Sequence, residues 1–539
     1  MITKKKSGLP RALSPEEVGV SSQAILDLLD EFDRRQLEYH GLMLLRHGKV
    51  VFEQYRKPYA AEIPHSIYSF SKSIAATAAG FAVDEGLFDL DDTVGKHFPE
   101  YRPAKKAAYW DQVTLRHVIT MTSGLAFDVF HQNASPDWIK DYLHSKLRDA
   151  PGEIFHYTNE CAYLFSVLIR RLTGQTMWEY LTPRLFEPLG IDVPFTETDH
   201  EQNPGGGWGI IWKLEDSAKF MQCYLDDGKW QSRQVIPAWW VREATQKQSD
   251  NSGNRKADSN KGYGYQFWMC RQPNAFAARG MFCQQGFCMR DHDAVFVCFG
   301  ADADEQKPFD VIYPHFPAGF FTGERAPAPD VLAELRRREQ TLSFPEPPPS
   351  PRAPALEQKL SGSAIKLRKQ RLLNLAGYPQ GLLPMTVNQM CIDRAGNMTD
   401  IRLAFGEDQL QLSWREGKWE NSIPLGLDGK YRCGKVELAG FSFDTYAFAQ
   451  WQDARTLYLS IRPIQTCVSN TFLLRFRGRR VKITPRSTPT FKSIAANLCK
   501  LSFAYLNNNP VMCLLSRFLF GIAPYILEGS HYGRVKRRK

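Results

Sequence analysis

The run Tyr68-Ser69-Phe70-Ser71-Lys72-Ser73 opens an alanine-rich segment, Ile74-Ala75-Ala76-Thr77-Ala78-Ala79, that continues to Glu85. Small side chains on every face predict a helix over 69–85 packed on all sides, with Gly86 as its stop. Ser69 and Lys72 are three residues apart, which on a helix puts both on one face, roughly 5–6 Å apart at Cβ. A serine hydroxyl is a weak nucleophile until a base removes its proton. Lysine becomes such a base when burial or nearby positive potential lowers its pKa, and a helix N-terminus supplies that potential. The same terminus offers N–H groups to a developing oxyanion. Ser71 gives no competing register, because its third neighbour is Ile74. The spacing alone is a weak signal. Ser363 and Lys366 repeat it without partners, where it reads as a capped helix with a surface lysine.

Upstream, Ala24, Ile25, Leu28, Leu29 and Phe32 recur at helical spacing within 22–35. Leu42-Met43-Leu44-Leu45 and Val50-Val51-Phe52 flank His47-Gly48 and predict a hairpin. Downstream, Pro151-Gly152-Glu153-Ile154-Phe155-His156-Tyr157-Thr158-Asn159 places a Tyr-x-Asn just before a predicted helix over 159–173. Tyr157 can relay a proton between nucleophile and leaving group. Asn159 can hold Lys72 and meet a substrate carbonyl, and His156 is a candidate substrate contact. Thr176 and Glu179 have capping-box spacing. Residues Tyr263–Met269, Phe282–Met289 and Ala294–Phe299 read as strands. Helices in the middle with strands at both ends predict one sheet closed by the two termini of the domain.

The 539 residues exceed one ordinary core. Ala328–Gln340 reads as a helix leading into Ser343-Phe344-Pro345-Glu346-Pro347-Pro348-Pro349-Ser350-Pro351, which neither helix nor central strand tolerates. The expected layout is a catalytic domain over 12–325, helix and linker over 326–356, a β-rich sandwich or barrel over 357–485, and a basic amphipathic tail over 486–539. Net charge is +10, yet Arg475–Lys539 holds fourteen Lys/Arg and one acid. The body is therefore near neutral, no nucleic-acid partner is expected, and the tail is read as a helical pair or a peripheral membrane contact. Eleven cysteines without C-x-x-C spacing read as reduced, buried thiols. Met1-Ile2-Thr3-Lys4-Lys5-Lys6 is not followed by an apolar run, so a cytoplasmic location is expected. H-E-x-x-H, P-loop and G-x-S-x-G patterns do not occur, and no metal or cofactor is expected.

Ser-x-x-Lys with Tyr-x-Asn resembles the serine β-lactamase-related and penicillin-binding-protein-like superfamily, nearest its class C, esterase and 6-aminohexanoate-dimer hydrolase branches. The resemblance covers about 12–322. It includes Phe88-Asp89-Leu90-Asp91-Asp92-Thr93-Val94, Thr114 to Leu125, and Pro204-Gly205-Gly206-Gly207 before a helix opened by Asp216. It implies an α+β fold, an antiparallel sheet flanked by helices with an all-helical subdomain, plus the C-terminal β-rich domain. It implies acyl-enzyme chemistry at Ser69, with Lys72 and Tyr157 moving protons and the N–H of Ser69 as half of the oxyanion hole. Penicillin-recognising members carry Lys-Thr-Gly or His-Thr-Gly on the strand beside the site. Here that strand reads Ala277-Ala278-Arg279-Gly280-Met281-Phe282-Cys283-Gln284, nearer the esterase and amidase pattern. Gly280 and Met281 are then substrate-binding positions, and Arg279 is either a replacement charge or a solvent-facing strand residue. The expected function is hydrolysis of a small-molecule ester or amide. A D-Ala carboxypeptidase or β-lactamase, and a non-catalytic binding or scaffold protein on the same fold, are the alternatives.

Overall fold

Leu42-Met43-Leu44-Leu45 shows no polar alternation because its strand is covered on both faces. β1 (Tyr39–Arg46) is buried at every position and lies inside a six-stranded antiparallel sheet. A strand packed on both sides has no use for polar residues. The computed structural model describes residues 8–102, 110–125, 137–145, 147–254, 256–367, 398–416, 418–438, 440–490, 492–493, 514, 518, 521–522 and 529–536. The hairpin from β1 to β2 (Lys49–Tyr55) turns through His47 (φ 50°) and Gly48 (φ 70°). Two central residues with positive φ suit the right-handed twist of the flanking strands.

The chain returns to the sheet far downstream with β3 (Trp268–Met269), β4 (Ala275–Gly280), β5 (Gln284–Met289) and β6 (Ala294–Gly300), giving the order β2-β1-β6-β5-β4-β3. One face packs on α1 (Ser22–Arg34), where Ser21 caps the N-terminus and Ile25, Leu28, Leu29 and Phe32 point inward. Later helices join that layer, including one at Lys307–Ile312 and one at Pro329–Thr341. The other face takes the helix Leu214–Leu225. Between β2 and β3 most of the regular structure among the described residues is helical. α2 (Ser71–Asp84) packs on α3 (Glu160–Thr173). The alanines of α2 permit close approach, and a Cβ at Gly80 would meet the Trp240 ring at 2.5 Å.

Two expectations change here. Ser69 is not inside the helix but in a 3₁₀ turn, Tyr68–Phe70, that leads into it. Of the stretch 263–269, only Trp268–Met269 is strand.

The chain folds as two units, Met1–Arg56 with Ala60–Leu342, and Lys57–Tyr59 with Ser343–Lys539. The second unit is a ten-stranded sheet that curls until Gly426 bridges Phe448, forming a β-barrel. Most of its strands alternate between buried and more exposed residues. Phe441–Asp453, for example, buries every second residue from Phe441 to Trp451. The C-terminus departs from the expected tail: His531–Val535 is a strand between Ala364–Leu367 and Arg480–Thr488. Arg534 therefore belongs to the barrel wall rather than to a detached tail. The apolar stretch Ile494 to Leu527 falls almost wholly outside the described residues. Ser363 and Lys366 are not on a helix, since Ala364–Leu367 is a strand.

Among the described residues the eight cysteines are free thiols, and all but Cys433 are buried. No helix among them is long and apolar enough to cross a membrane.

Candidate active site

The residue before the serine adopts a conformation that a bulky side chain avoids. Tyr68 has φ 46° and is 2% exposed, its ring edge-on to Phe282 at 5.2 Å. Such backbone persists only where surrounding contacts impose it, and it clusters at functional sites. Ser71 tightens the turn by donating its hydroxyl to Tyr68 O at 2.5 Å. The turn is also pressed by β4. A Cβ at Gly280 would lie 2.0 Å from Ile67 O and 3.1 Å from Phe70 N, so only glycine lets this strand lie against the serine turn.

Lys72 opens α2, one turn from Ser69, and is 1% exposed. Its Nζ donates to Ser69 Oγ at 3.0 Å, Asn159 Oδ1 at 2.7 Å and Gly207 O at 2.6 Å. It also lies 4.9 Å from the centre of the Tyr157 ring. Burial pushes this ammonium down to about 7, against the pull of Glu160, Cys161 and Glu305. The group is thus poised to gain or lose a proton near neutrality.

Asn159 stands at the N-cap of α3, where an asparagine side chain ordinarily bonds the helix's own N–H groups. Here it makes no capping bond; its oxygen is turned to Lys72 instead. A local preference given up in this way is expected where function competes with stability. Gly207 reaches Lys72 because the loop Pro204-Gly205-Gly206-Gly207 lies directly on the start of α3. Cβ atoms at Gly206 and Gly207 would sit 2.7 Å from Ala162 O and 2.6 Å from Asn159 O.

Tyr157 packs its ring on Trp268 at 5.4 Å and Tyr263 at 6.2 Å. Its loop is braced by the 114–125 stretch. His156 N–H donates to Met121 O at 2.7 Å, and Thr158 N–H to Met121 Sδ at 3.3 Å.

Ser69, Lys72, Tyr157, Asn159 and Gly280 are therefore brought together. Met281 follows Gly280 in the turn and is half-buried. His156 is engaged elsewhere, with its Nε2 2.5 Å from Asp149 Oδ2, and burial pushes its imidazole down despite that carboxylate. Arg279 does not face solvent. It is 4% exposed, donates to Asp258 O and Ser259 Oγ, and lies over Trp268 and Phe309. Sequence reasoning missed the Gly207 carbonyl and Trp268. The glycine run was the available signal for the first, while nothing local marked the second. Among the described residues no cluster of His, Cys, Asp and Glu is arranged to hold a metal.

An antiparallel sheet whose edge meets a helical subdomain at a Ser-x-x-Lys turn defines a hydrolase fold of the β-lactamase and penicillin-binding-protein type. The β-lactamase family model matches residues 29–310, and the chain belongs to that family. It is similar to the 6-aminohexanoate-dimer hydrolase of Paenarthrobacter ureafaciens, 24% identical over 272 residues, covering 46% of this chain and 67% of that protein. It is also similar to protein Flp of Staphylococcus aureus strain MW2, 24% identical over 198 residues, covering 33% of this chain and 40% of that protein. Among solved structures, the octameric penicillin-binding protein homologue from Pyrococcus abyssi matches 81% of this chain and 97% of its own, at 15% identity and a TM-score of 0.45.

Proposed function

We propose that this hydrolase cleaves a small-molecule ester or amide through an acyl-enzyme on Ser69. The observation that carries the reading is the Lys72 ammonium, buried, 3.0 Å from Ser69 Oγ and held near neutrality. In its neutral form Lys72 takes the Ser69 proton as Oγ bonds to the substrate carbonyl carbon. The resulting oxyanion is held in this reading by the N–H of Ser69 and that of Met281, the residue after Gly280; the close packing of Gly280 on the serine turn supports it. Tyr157, in contact with Lys72, passes a proton to the departing alkoxide or amine. Water then attacks the acyl carbon, its proton returns through the same groups, and the acid leaves with Ser69 restored. Asn159 Oδ1 and Gly207 O keep Lys72 aimed at the serine throughout.

The inward, buried Arg279, whose Nη1 is bonded to Asp258 O and Ser259 Oγ, argues against recognition of a penicillin or D-Ala carboxylate, since it is not turned out of the β4 strand toward a ligand. A fluorophosphonate probe followed by peptide mapping is expected to label Ser69. Absence of label on folded protein would overturn the reading. Turnover of p-nitrophenyl acetate or butyrate, and of a linear amide such as the 6-aminohexanoate dimer, is expected without turnover of nitrocefin. Nitrocefin hydrolysis would favour the β-lactamase alternative instead.

A further inference from the structure

Two histidines outside the catalytic cluster form a buried chain that ends three residues before the nucleophile. His40 on β1 is 1% exposed and His65 is 2% exposed. Glu38 Oε1 lies 3.0 Å from His40 Nε2, His40 Nδ1 lies 3.0 Å from His65 Nε2, and His65 Nδ1 lies 3.0 Å from Ser66 O. All four ring nitrogens are used. The two ends of the chain, a carboxylate and a backbone carbonyl, are both acceptors. Three hydrogen bonds between two accepting ends need three protons on the four nitrogens, and two neutral imidazoles carry only two.

We infer that His40 and His65 together hold a third proton, as one imidazolium balanced by Glu38, and that this pair positions the turn carrying Ser69. The inference rests on the reading of Ser69 as nucleophile. The path between them is short. His65–Ser66 pairs with Ile211–Trp212, and the next residue, Ile67, donates its N–H to Ile210 O at 3.0 Å. Ile67 O then accepts the Phe70 N–H at 3.1 Å and is the atom beneath Gly280. The imidazole of His65 thus fixes the Ser66 peptide at the entrance to the turn. Loss of the third proton leaves two lone pairs facing each other at one of the three contacts, and the chain opens there.

The surroundings can hold such a charge. Glu38 keeps a side chain 26% exposed, so its carboxylate stays solvated. From β2 the chain runs on to Arg56, whose backbone N–H donates to His40 O, while its guanidinium Nε donates to Tyr39 O and lies over the Tyr39 ring at 5.2 Å. From β6 comes the neutral Phe299 ring, stacked on His65 at 5.2 Å. The strand Ile210–Trp212 places Trp212 opposite His65. His40 and His65 are positioning residues, since they act on the serine only through the Ser66 and Ile67 peptides.

The test uses the full-length protein labelled with ¹⁵N-histidine, with the two rings assigned from His40→Gln and His65→Gln. The expected result is three protonated ring nitrogens at neutral pH, with the third lost as pH rises. In Glu38→Gln the counter-charge is gone and that loss is expected at least one pH unit lower. The alkaline limb of kcat is expected to move with it, while KM and the acid limb stay within about twofold of wild type. Two ring protons at neutral pH would overturn the inference. So would a Glu38→Gln variant, folded by its melting transition, whose ring titration moves while the kcat profile does not. The ring-proton count reads the pair directly, and fluorophosphonate labelling of wild type reads Ser69, so failure of one is not mistaken for failure of the other.

Discussion

The chain contains two Ser-x-x-Lys spacings, and their fates are opposite. In the hydrolase unit, Ser69 and Lys72 straddle the start of a helix, and the lysine is 1% exposed with three acceptors around its Nζ. In the barrel unit, Ser363 donates to Lys359 O at 3.0 Å, while Lys366 lies exposed on a strand, in register with Arg534. Three residues apart means one face on a helix and opposite faces on a strand. The spacing is therefore empty of chemistry until the fold supplies helical geometry and removes water from the ammonium.

The contrast is tested most directly at the serines. Ser69→Ala is expected to lower ester hydrolysis by about 10⁴-fold or more and to abolish fluorophosphonate labelling. Ser363→Ala is expected to change neither. Equal loss in both variants, measured by initial rates at matched folded fraction, would mean that the helix turn confers nothing.

The lysines come next. Lys72→Met is expected to lower kcat by about 10³-fold, and Lys366→Met to leave it unchanged. With the Lys72 group near 7, kcat/KM of wild type is expected to rise through an acid limb around pH 7. Stability carries the same signature with a definite sign. Between about 7 and the ordinary 10.5, the unfolded chain binds the lysine proton and the folded chain does not. Wild-type stability contributed by this group therefore rises with pH across that window, and below it a burial cost of roughly 4–5 kcal/mol is fully present. The melting-temperature difference, Lys72→Met minus wild type, is expected to be larger at pH 6.5 than at pH 9.5. A difference independent of pH would show that the ammonium is not desolvated.

Much of this contrast is legible in the sequence, and the remainder has physical causes. The alanine run announces a helix packed on all sides, and Leu42–Leu45 announces a strand with no wet face, because burial acts on adjacent residues. The register of Ser69 against Lys72 follows from spacing alone. The 3₁₀ turn at Tyr68 does not, since its positive φ goes with packing against Gly280 of β4 and Phe282 of the turn after it, both far away in sequence. The Gly207 carbonyl escapes for a related reason, because every residue carries a carbonyl and only the loop's path selects this one. His531–Val535 escapes because strand pairing across a long insertion leaves no local period to read. Arg279 reads equally well as inward or outward until Asp258 and Ser259 are folded beneath it.

Glycines probe the steric side of the same contrast. At Gly280 the obstruction is the Ile67 carbonyl at 2.0 Å, a backbone atom with nowhere to go. In the barrel, a Cβ at Gly434 would meet Thr445 Oγ1 at 3.0 Å and side-chain carbons of Ile423 and Pro424 at 3.1 Å, which can shift by tenths of an ångström. Gly280→Ala is expected to destabilise by about 2 kcal/mol or more, or to displace the serine turn and lose activity at constant fold. Gly434→Ala is expected to cost about 1 kcal/mol or less. Denaturant melts of both variants check the ranking, and a Gly280→Ala protein with wild-type stability and rate would show that the strand does not press on the turn.

Asparagines give the smallest and most discriminating effect. Asn159 spends its oxygen on the Lys72 ammonium at 2.7 Å, whereas Asn421 in the barrel clamps the backbone of Glu437, donating to its O at 3.1 Å and accepting from its N at 2.8 Å. Removing Asn159 takes away one acceptor that favours the charged lysine, so its proton is held less tightly. Asn159→Ala is expected to shift the acid limb of kcat/KM below its wild-type position and to lower kcat by about tenfold, because Lys72 is less well aimed. Stability is expected to change little, since the α3 N-cap receives no side-chain bond from Asn159 to begin with. Asn421→Ala is expected to do the reverse, costing about 1–2 kcal/mol through unpaired strand groups and leaving the pH profile where it is. An acid limb that stays fixed in Asn159→Ala would mean that the amide is a scaffold like its counterpart in the barrel, and that burial alone sets the lysine.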